Sequence, residues 1–341
     1  MSFEVLKPGL LSTFQDLGRL QHQRLGIPVA GALDVHAHRL ANLLVGNGAE
    51  FASLEMNLFP PTLKTNSACC IAFSGADMGP MINDFRAPMN RPLVLRPQDE
   101  ISFEGRTEGA RVYMAVHGGF KLKSVFDSSS TYLRSAMGGF QGRALKRGDV
   151  VDINTSFDDI DLSLLAQELW DVKIYLKSSL VKKTQPKLRI IKSAQWDEFT
   201  PESRADLITK PFKVTPISDR MGFRLEGPEL KLSRPRQMIS ESVVFGTIQV
   251  PVGGQAIVLM ADRQPTGGYP KIAYVASVDQ PLLAQLAPGD TFTFTLIDMA
   301  DAQKLDAKRE LDFLDLAKQL EPIRTLLNHA TASGQVPAMT P

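Results

Sequence analysis

The sequence predicts a mainly β protein that contains only a few helices. Short apolar runs are cut by Gly, Pro, Asp and Asn, which is typical of chains rich in strands and turns. One phrase recurs, in which a turn with an Asp leads into alternating apolar residues: RPQDEISF (96–103), KRGDVVDI (146–153) and APGDTFTF (287–294). Each phrase predicts a turn followed by a half-buried strand, and their recurrence hints at two related β domains.

Length and composition favour a globular protein of two domains. The chain has 341 residues, which is more than one ordinary hydrophobic core organises. Hydrophobic residues make up 43% and charged residues 22%, with a formal net charge of +1. Because acids and bases are interspersed, neither a nucleic acid nor a membrane surface is an expected partner. No apolar stretch reaches the ~18 residues of a membrane span, and no leader pattern opens the chain, so we expect a cytoplasmic protein.

The two cysteines agree with that compartment. Cys69 and Cys70 are adjacent in the apolar run ACCIAF. Neighbouring cysteines rarely bond to each other, and an apolar setting favours buried core thiols over a redox pair. We therefore expect reduced thiols in a reducing environment.

Capping residues predict two helices in the first half of the chain. In ALDVHAHRLANLLVGNG, Asp34 is a candidate N-cap, apolar residues follow at helical spacing, and Gly46 is a candidate end. A second helix is expected from about Asp161 to Trp170.

Further helices are predicted in the second half. Thr200 followed by Pro201 indicates a cap and a first-turn proline, and Asp279 is expected to cap QPLLAQL. A rough apolar stripe over about 300–330 predicts a helical tail that Pro322 should kink or split.

A polar, basic and Pro-containing segment, SSLVKKTQPK at 178–187, is the expected linker between domains. A fresh strand, LRIIK, follows it. We expect an N-terminal β domain over 1–185, a C-terminal β domain over 186–298 and a helical tail over 299–341.

The most informative stretch is GQAIVLMADRQPTGGYPKIAYV at 254–275. An apolar run ends in an acid and a cation, and a hydroxyl, two glycines and a tyrosine follow before apolar residues resume. Glycines leave the main chain bare, so that a ligand can approach it closely. Alternatively, Asp262 caps a turn and the glycines form a hairpin loop.

Two other loops carry residues that can bind an anion. In SDRMGFRL, Arg220 and Arg224 flank Met221 and Gly222, which suits a carboxylate or phosphate but also a solvated turn with ion pairs. Ser128–Thr131, followed by the glycine-rich segment 138–143, could form an anion nest or a plain polar loop. The chain has no GxxxxGK[ST] phosphate-binding motif.

No metal site is expected. His36 and His38 stand two apart on a predicted helix, so they point to different faces and cannot both ligate one ion there. No HExxH or CxxC pattern accompanies them.

Several segments together resemble one family. They cover roughly residues 3–298 and read GLLSTFQDLGR, GIPVAGALD, ANLLVGN, SGAD, GGFQGRALKRGD, DRMGFRLEG, GTIQVPVGGQAIVLMADRQPTGGYPKIAYV and AQLAPGD. This set resembles the allophanate hydrolase subunit 2 family, also called the KipA-like or biotin-dependent carboxyltransferase family, which includes the C subunit of bacterial 5-oxoprolinase. The resemblance implies two cyclophilin-like β-barrel domains ahead of the C-terminal helical tail.

The resemblance also implies site residues, through TFQDLGR, IQVP and DRQPTGGYP, to which Arg220 of the SDRMGFRL loop is added. The candidate catalytic residues are Gln249, Asp262 and Arg263, and the candidate substrate-binding residues are Gln15, Asp16, Arg19, Arg220, Thr266, Gly267, Gly268 and Tyr269. One departure is FDSSSTY, where family members often carry GSRST: Ser129 stands in place of the arginine. Arg134 or Arg143 would have to replace that arginine in binding an anion.

The function implied is a subunit of an ATP-dependent 5-oxoprolinase, which opens the lactam of 5-oxoproline to glutamate. The partners implied are the B component of 5-oxoprolinase, which is KipI-like, and its A component, which is of the LamB/YcsF type. ATP is the expected cofactor, in a site held or shared by a partner, and the chain has no Met-Lys-Met biotin acceptor. The alternatives are a carboxyltransferase component acting on carboxybiotin or a urea-type substrate, and an antagonist that binds a KipI-like kinase inhibitor.

The chemistry follows from a planar N–C=O group, which urea, biotin and 5-oxoproline share. Asp262 or the Gln249 oxygen would accept from the ring N–H, and main-chain N–H groups at Gly267 and Gly268 would donate to the carbonyl oxygen. Arg263 or Arg220 would pair with a carboxylate or a transferred phosphoryl group.

Overall fold

The protein is mainly β with a few helices, as the sequence predicts. The computed structural model describes residues 1–157, 160–180, 187–236 and 238–336. The chain forms two compact units, the first composed of Met1–Gly18, Asp34–Lys182 and Leu311–Pro341, and the second of Arg19–Leu33 and Lys183–Glu310. These units are discontinuous, whereas the sequence predicts continuous ranges of 1–185, 186–298 and 299–341. Residues 181–186 of the expected linker lie outside the described residues.

Long-range contacts explain the discontinuity. In the second unit, the Ala30 N–H donates to the Ala261 carbonyl at 3.1 Å, and Leu33 belongs to that unit's apolar core. In the first unit, the His117 ring bonds the Thr331 hydroxyl at 3.2 Å. Such contacts join segments that lie far apart in the chain.

Two antiparallel sheets build the first unit. Its strands are β1 (Ser2–Lys7), β2 (Leu11–Gln15), β3 (Ser53–Asn57), β4 (Thr62–Thr65), β5 (Cys69–Asp77), β6 (Pro80–Ile82), β7 (Phe85–Arg86), β8 (Pro92–Leu95), β9 (Glu100–Phe103), β10 (Glu108–Val116) and β11 (Val150–Asp152). The six-stranded sheet has the order β11-β1-β4-β9-β6-β7 and the five-stranded sheet the order β2-β3-β10-β5-β8. Side chains of both sheets share one core, to which Phe3, Phe14, Leu54 and Ile101 contribute.

Alternation along the strands sets which side chains enter that core. On β2, Phe14 packs into the core, while its neighbours Thr13 and Gln15 alternate to the other face. Cys69 and Cys70 on β5 are free and buried, which confirms the prediction of core thiols. Burial raises the pKa of the Cys70 thiol.

The first unit contains two of the expected helices. They are α1 (Val35–Leu44) and α2 (Leu162–Asp171). The Asp34 carboxylate accepts from the Ala37 N–H at 3.0 Å, and the Asp161 carboxylate accepts from two N–H groups of the first turn of α2. The predicted N-cap Asp34 is confirmed, and Asp161, where the second helix was expected to begin, is the N-cap of α2.

A closed seven-stranded barrel forms the second unit. The strands of this unit are β12 (Lys187–Lys192), β13 (Phe212–Val214), β14 (Gly222–Glu226), β15 (Glu241–Ser242), β16 (Thr247–Gln249), β17 (Ile257–Leu259), β18 (Thr266–Gly267), β19 (Lys271–Val275) and β20 (Thr291–Leu296). The barrel order is β12-β19-β16-β17-β14-β13-β20, closed by a parallel pairing of β12 with β20. The remaining two strands, β15 and β18, pair with each other as a short ribbon.

Two short helices accompany the barrel, α3 (Pro201–Thr209) and α4 (Gln280–Ala284). Thr200 caps α3 by accepting from the Ser203 N–H, as predicted. Asp279 stands at the predicted N-cap position of α4, but its side chain makes no capping hydrogen bond. Its carboxylate instead binds Arg189, through the main-chain N–H and Nε at 2.8 Å each, because a cation competes for the same lone pairs.

The three recurring phrases fold as the same turn before β9, β11 and β20. In each, the Asp carboxylate accepts from the N–H three residues earlier: Asp99 from Arg96 and Asp149 from Lys146 at 2.7 Å, and Asp290 from Ala287 at 2.8 Å. A short-range bond from main chain to carboxylate closes each turn, and a strand follows each time.

The tail forms α5 (Met299–Gln319) and α6 (Glu321–Ser333). Pro322 lies in the first turn of α6, which confirms the predicted split, since proline is tolerated there and not in a helix interior. None of the helices in the described part of the chain has the length and apolar composition that a membrane crossing needs.

Candidate functional site

Most of the predicted site residues lie in the second unit, around the β15–β18 ribbon. Gln249 ends β16, and Lys271 begins β19 directly opposite it, next to a β-bulge. Ile248 and Ile272, which neighbour them along the two strands, belong to the barrel core. Gln249 and Lys271 therefore share the other face of the barrel wall.

Gln249 is the most unusual polar side chain in this unit. It is 4% exposed, and its amide makes no hydrogen bond to any residue the structure describes, with Nε2 fully inaccessible to water. Gly267 lies against this amide: a Cβ added to Gly267 would come within 2.5 Å of Nε2. Leaving a buried amide donor unpaired costs about 1–3 kcal/mol, so this arrangement needs an explanation.

Arg263 is a buried cation beside the same ribbon. It is 7% exposed, and its guanidinium donates to the carbonyls of Val243 (3.3 Å) and Met260 (3.2 Å). No carboxylate of the described residues lies within ion-pair distance of it. Desolvation by burial lowers the pKa of Arg263 to about 10, and the group stays charged at neutral pH. The Val243 side chain also lies 3.4 Å from the Cβ position of Gly267, the glycine that lies against the Gln249 amide.

Asp262 and Arg220 form a buried ion pair instead of two separate ligand contacts. The Arg220 guanidinium donates to both carboxylate oxygens, Nε to Oδ2 at 3.1 Å and Nη2 to Oδ1 at 3.0 Å. Arg220 Nη2 also donates to the Gly31 carbonyl at 2.6 Å, and the Asp262 N–H donates to the Arg220 carbonyl. This pair fixes the turn that carries Arg263, and it leaves Arg263 as the better candidate for an anionic ligand.

Lys271 and Glu241 are site residues that the sequence analysis missed. The Lys271 ammonium is bound by the Glu241 carboxylate at 2.7 Å, and Glu241 lies opposite Gly267 in the ribbon. This contact lowers the pKa of Glu241, because the charged form accepts a hydrogen bond from the lysine. A lysine at the start of the apolar run KIAYV was the available sequence signal.

The other predicted residues of this unit lie on or near the ribbon or are buried elsewhere. Thr266 is exposed, and Gly268 is partly buried near Ser240. Tyr269 is 47% exposed. Arg19 is buried, and its main-chain N–H donates to the Val29 carbonyl.

Gln15 and Asp16 belong to the first unit. The Asp16 carboxylate accepts from the hydroxyls of Ser128 and Ser130 and from the Ser129 N–H at 2.6 Å. The serine loop is therefore closed around an acid of the protein itself. This explains why the loop does not fit a phosphate and favours the polar-loop interpretation over the anion nest.

Gln15 lies beside that loop. Its Nε2 donates to the Thr131 carbonyl (3.2 Å) and to the Thr13 hydroxyl (2.9 Å). Oε1 of Gln15 is buried and has no hydrogen-bond partner within the described residues. Among the residues that the structure describes, the nitrogen of the Gln15 amide is therefore bonded and its oxygen is not, whereas neither end of the Gln249 amide is bonded.

The histidines of α1 do not form a metal site. The ring of His38 lies between the Ser53 hydroxyl (2.7 Å) and the Ala49 carbonyl (2.9 Å), and burial lowers its pKa. His36 packs edge-on against Phe313. Within residues 1–157, 160–180, 187–236 and 238–336, no cluster of His, Cys, Asp and Glu could hold an ion.

In chemical terms, the barrel site offers donors and a free amide. Gln249 presents a primary amide whose oxygen and nitrogen are both unengaged, Arg263 presents a cation, and Lys271 adds an ammonium. Such a set suits a small ligand with a planar amide and negative charge.

Comparison with known proteins identifies the family. Residues 25–296 match the family described as carboxyltransferase domain, subdomain A and B. The chain is 33% identical over 318 residues to the 5-oxoprolinase C subunit of Escherichia coli strain K12, covering 93% of this chain and 98% of that protein. It is 34% identical over 309 residues to the 5-oxoprolinase C subunit of Haemophilus influenzae, covering 91% of this chain and 95% of that one.

The fold is shared with a larger solved structure. The crystal structure of the Kluyveromyces lactis urea amidolyase matches with a TM-score of 0.83 and 28% sequence identity, over 92% of this chain and 20% of that chain. The similarity therefore concerns one region of a much longer protein.

Proposed function

Because the chain belongs to the carboxyltransferase domain family, subdomains A and B, we propose that it is a subunit of a 5-oxoprolinase. In this proposal the assembled enzyme hydrolyses the lactam of 5-oxoproline to glutamate in an ATP-dependent reaction. The observation that carries it is the 33% identity to a 5-oxoprolinase C subunit over 98% of that protein's length.

The free amide of Gln249 supports a lactam as the substrate. A lactam is held in the cis form by its ring, so its N–H and C=O point to the same side. A primary amide presents the complementary pair, an oxygen that accepts and a nitrogen that donates. Gln249 therefore pairs with the lactam edge through two hydrogen bonds, which satisfies the buried Nε2 that has no partner among the described residues.

Gly267 lets the Gln249 amide keep the position that this pairing needs. A Cβ at Gly267 would lie 2.5 Å from Nε2 and would displace the amide. Main-chain N–H groups of Gly267 and Gly268 are the proposed further donors to the carbonyl oxygen. A well-placed donor to a developing oxyanion typically raises the rate about 100- to 1000-fold.

Arg263 supplies the positive charge in this proposal. A buried guanidinium without a carboxylate among the described residues attracts a carboxylate or a transferred phosphoryl group. Asp262 acts through Arg220: their ion pair holds the turn before Arg263.

ATP and the partners complete the proposed enzyme. The serine loop of the first unit is closed around Asp16 and does not fit a phosphate, so we assign the ATP site to a partner or a shared interface. The relatives are named as the C subunit of an enzyme, which implies further subunits. The proposed partners are a KipI-like and a LamB/YcsF-type subunit. The buried, free thiols Cys69 and Cys70 support the cytoplasm as the compartment.

The test is reconstitution. The chain is co-expressed with the two proposed partners, and release of glutamate from 5-oxoproline is measured with and without ATP. Arg263→Gln is expected to lower the turnover at least 100-fold, because it removes the cation from the site. Arg224→Gln, at an exposed arginine of the same unit, is the matched control and keeps full activity. Absence of ATP-dependent glutamate release by the wild-type complex would refute the proposal.

A second candidate function is favoured by the match to the urea amidolyase structure. In this alternative the chain acts as a carboxyltransferase component, and Gln249 pairs with the ureido group of carboxybiotin, which has the same N–H and C=O edge. Capture of a biotinylated partner protein, together with carboxyl transfer from it and no glutamate release, would replace the first proposal by this one.

A further inference from the structure

Lys271 is a buried ammonium with one anionic partner. It is 3% exposed, and among the described residues its Nζ contacts only the Glu241 carboxylate, at 2.7 Å. Glu241 lies on the two-residue strand β15, and its side chain is 54% exposed. The lysine is thus fixed in the barrel wall, while its counter-charge lies on a short, half-exposed ribbon.

Donors exceed acceptors around this pair. Lys271 and Gln249 are direct cross-strand partners, so their side chains leave the barrel wall side by side, with Cβ atoms typically about 4.5–5.5 Å apart. Together they offer up to five N–H bonds, three from an ammonium and two from an amide. Against these, the ribbon provides the single carboxylate of Glu241.

We propose, building on the proposed function, that Lys271, next to the Gln249 amide that pairs with the lactam edge, forms the subsite for the substrate's carboxylate. In the ligand-free protein Glu241 occupies this subsite, and the carboxylate of 5-oxoproline displaces it. The exchange replaces one carboxylate by another, so that the buried Lys271 ammonium keeps an anionic partner. The Glu241 side chain then turns towards the solvent. This movement costs little free energy, because that side chain is already half-exposed.

This subsite separates the roles of the two cations. Lys271 takes the charge that the substrate carries before reaction. Arg263 is then left for the charge that develops on, or is transferred to, the lactam oxygen. A ligand with a carboxylate next to its lactam nitrogen contacts both Lys271 and the amide of Gln249, which explains why these two side chains are paired in the register.

The experiment is calorimetric titration of the full chain with two ligands. The first is 5-oxoproline, and the second is 5-oxoprolinamide, which has the same lactam and no negative charge. Three variants are compared with wild type: Lys271→Met, Glu241→Gln and the control Glu226→Gln. Glu226 pairs with Lys213 at 3.8 Å on an exposed face of the same unit.

Opposite effects are expected at the two partners. Lys271→Met weakens 5-oxoproline binding about tenfold to a hundredfold, the usual contribution of a hydrogen bond to a charged group. Glu241→Gln strengthens it about two- to fivefold, because an internal competitor of a half-exposed pair is removed. Glu226→Gln changes nothing, and 5-oxoprolinamide binds all four proteins about equally.

Other results overturn the inference. They are an unchanged affinity in Lys271→Met, a weaker affinity in Glu241→Gln, equal sensitivity of the amide ligand, or no heat with the wild-type chain. If Lys271→Met does not fold, Glu241→Gln carries the test alone. Stronger heat with inorganic phosphate than with 5-oxoproline would assign the subsite to a phosphoryl group instead.

The outcome is separable from the proposed function. Glutamate release by the assembled enzyme with no effect of Lys271→Met on 5-oxoproline affinity rejects the subsite and keeps the 5-oxoprolinase. The expected binding pattern without glutamate release keeps a carboxylate subsite and rejects the 5-oxoprolinase.

Discussion

Replacing Gln249 by leucine should make the protein more stable and inactive. The amide is 4% exposed and makes no hydrogen bond to the described residues. A buried, unpaired donor destabilises a fold by about 1–3 kcal/mol, and an apolar side chain of similar size has no such penalty. After allowing for imperfect packing of the branched leucine, we expect Gln249→Leu to gain about 1 kcal/mol in the free energy of unfolding.

The measurement is urea unfolding followed by fluorescence. In a Trp170→Phe background Trp196 is the sole tryptophan, and it belongs to the barrel core. Gln195→Leu is the matched control, because the Gln195 side chain accepts from the Lys271 N–H at 2.7 Å. Losing that bond should cost about 1 kcal/mol.

The same variants are assayed in the assembled enzyme. Gln249→Leu removes both hydrogen bonds to the lactam edge, so glutamate release should fall by at least 100-fold. A destabilised Gln249→Leu protein that retains activity would refute the reasoning, since the amide would then serve the scaffold and not the substrate.

Two further predictions test the space above the site and the buried histidine. Gly267→Ala should weaken lactam binding, because its Cβ would lie 2.5 Å from Nε2 of Gln249 and would displace that amide, whereas Gly253→Ala, with nothing within 4 Å, should bind normally. Equal binding by the two variants would contradict the role of the Gln249 amide. Burial lowers the pKa of His38, so its stabilising effect is complete above the unfolded value of about 6.5 and is lost as pH falls below it. His38→Gln should therefore flatten the fall in unfolding free energy between pH 6.5 and 5 by up to about 1.4 kcal/mol per pH unit.

Local features of the fold were readable from the sequence. The Asp of each turn phrase binds an N–H three residues away, and Asp34, Asp161 and Thr200 act within one helical turn. Their chemistry depends only on near neighbours. Asp279 is the exception, because Arg189, 90 residues away in the chain, takes its carboxylate.

The sequence supplied candidate site residues but not their spatial arrangement. Gln249 opposes Ile257 in the β16–β17 hairpin, and Asp262 follows five residues later, so the hairpin alone does not bring the two together. The ribbon brings Gly267 back to Gln249, and the register of β16 with β19 adds Lys271. Strand register between distant segments is a tertiary property, which no single-sequence pattern specifies.

The two buried arginines of the candidate site differ in their charge pairing. Arg220 and Arg263 both lie within or beside apolar strands, and the sequence offered either as the anion ligand. The structure neutralises Arg220 with Asp262 through two hydrogen bonds and leaves Arg263 with main-chain carbonyls. A paired arginine would have to break a buried ion pair, at a cost of about 3–5 kcal/mol, before it could bind a ligand. Arg263 has no such pair to break, so an incoming anion gains the full interaction at that position.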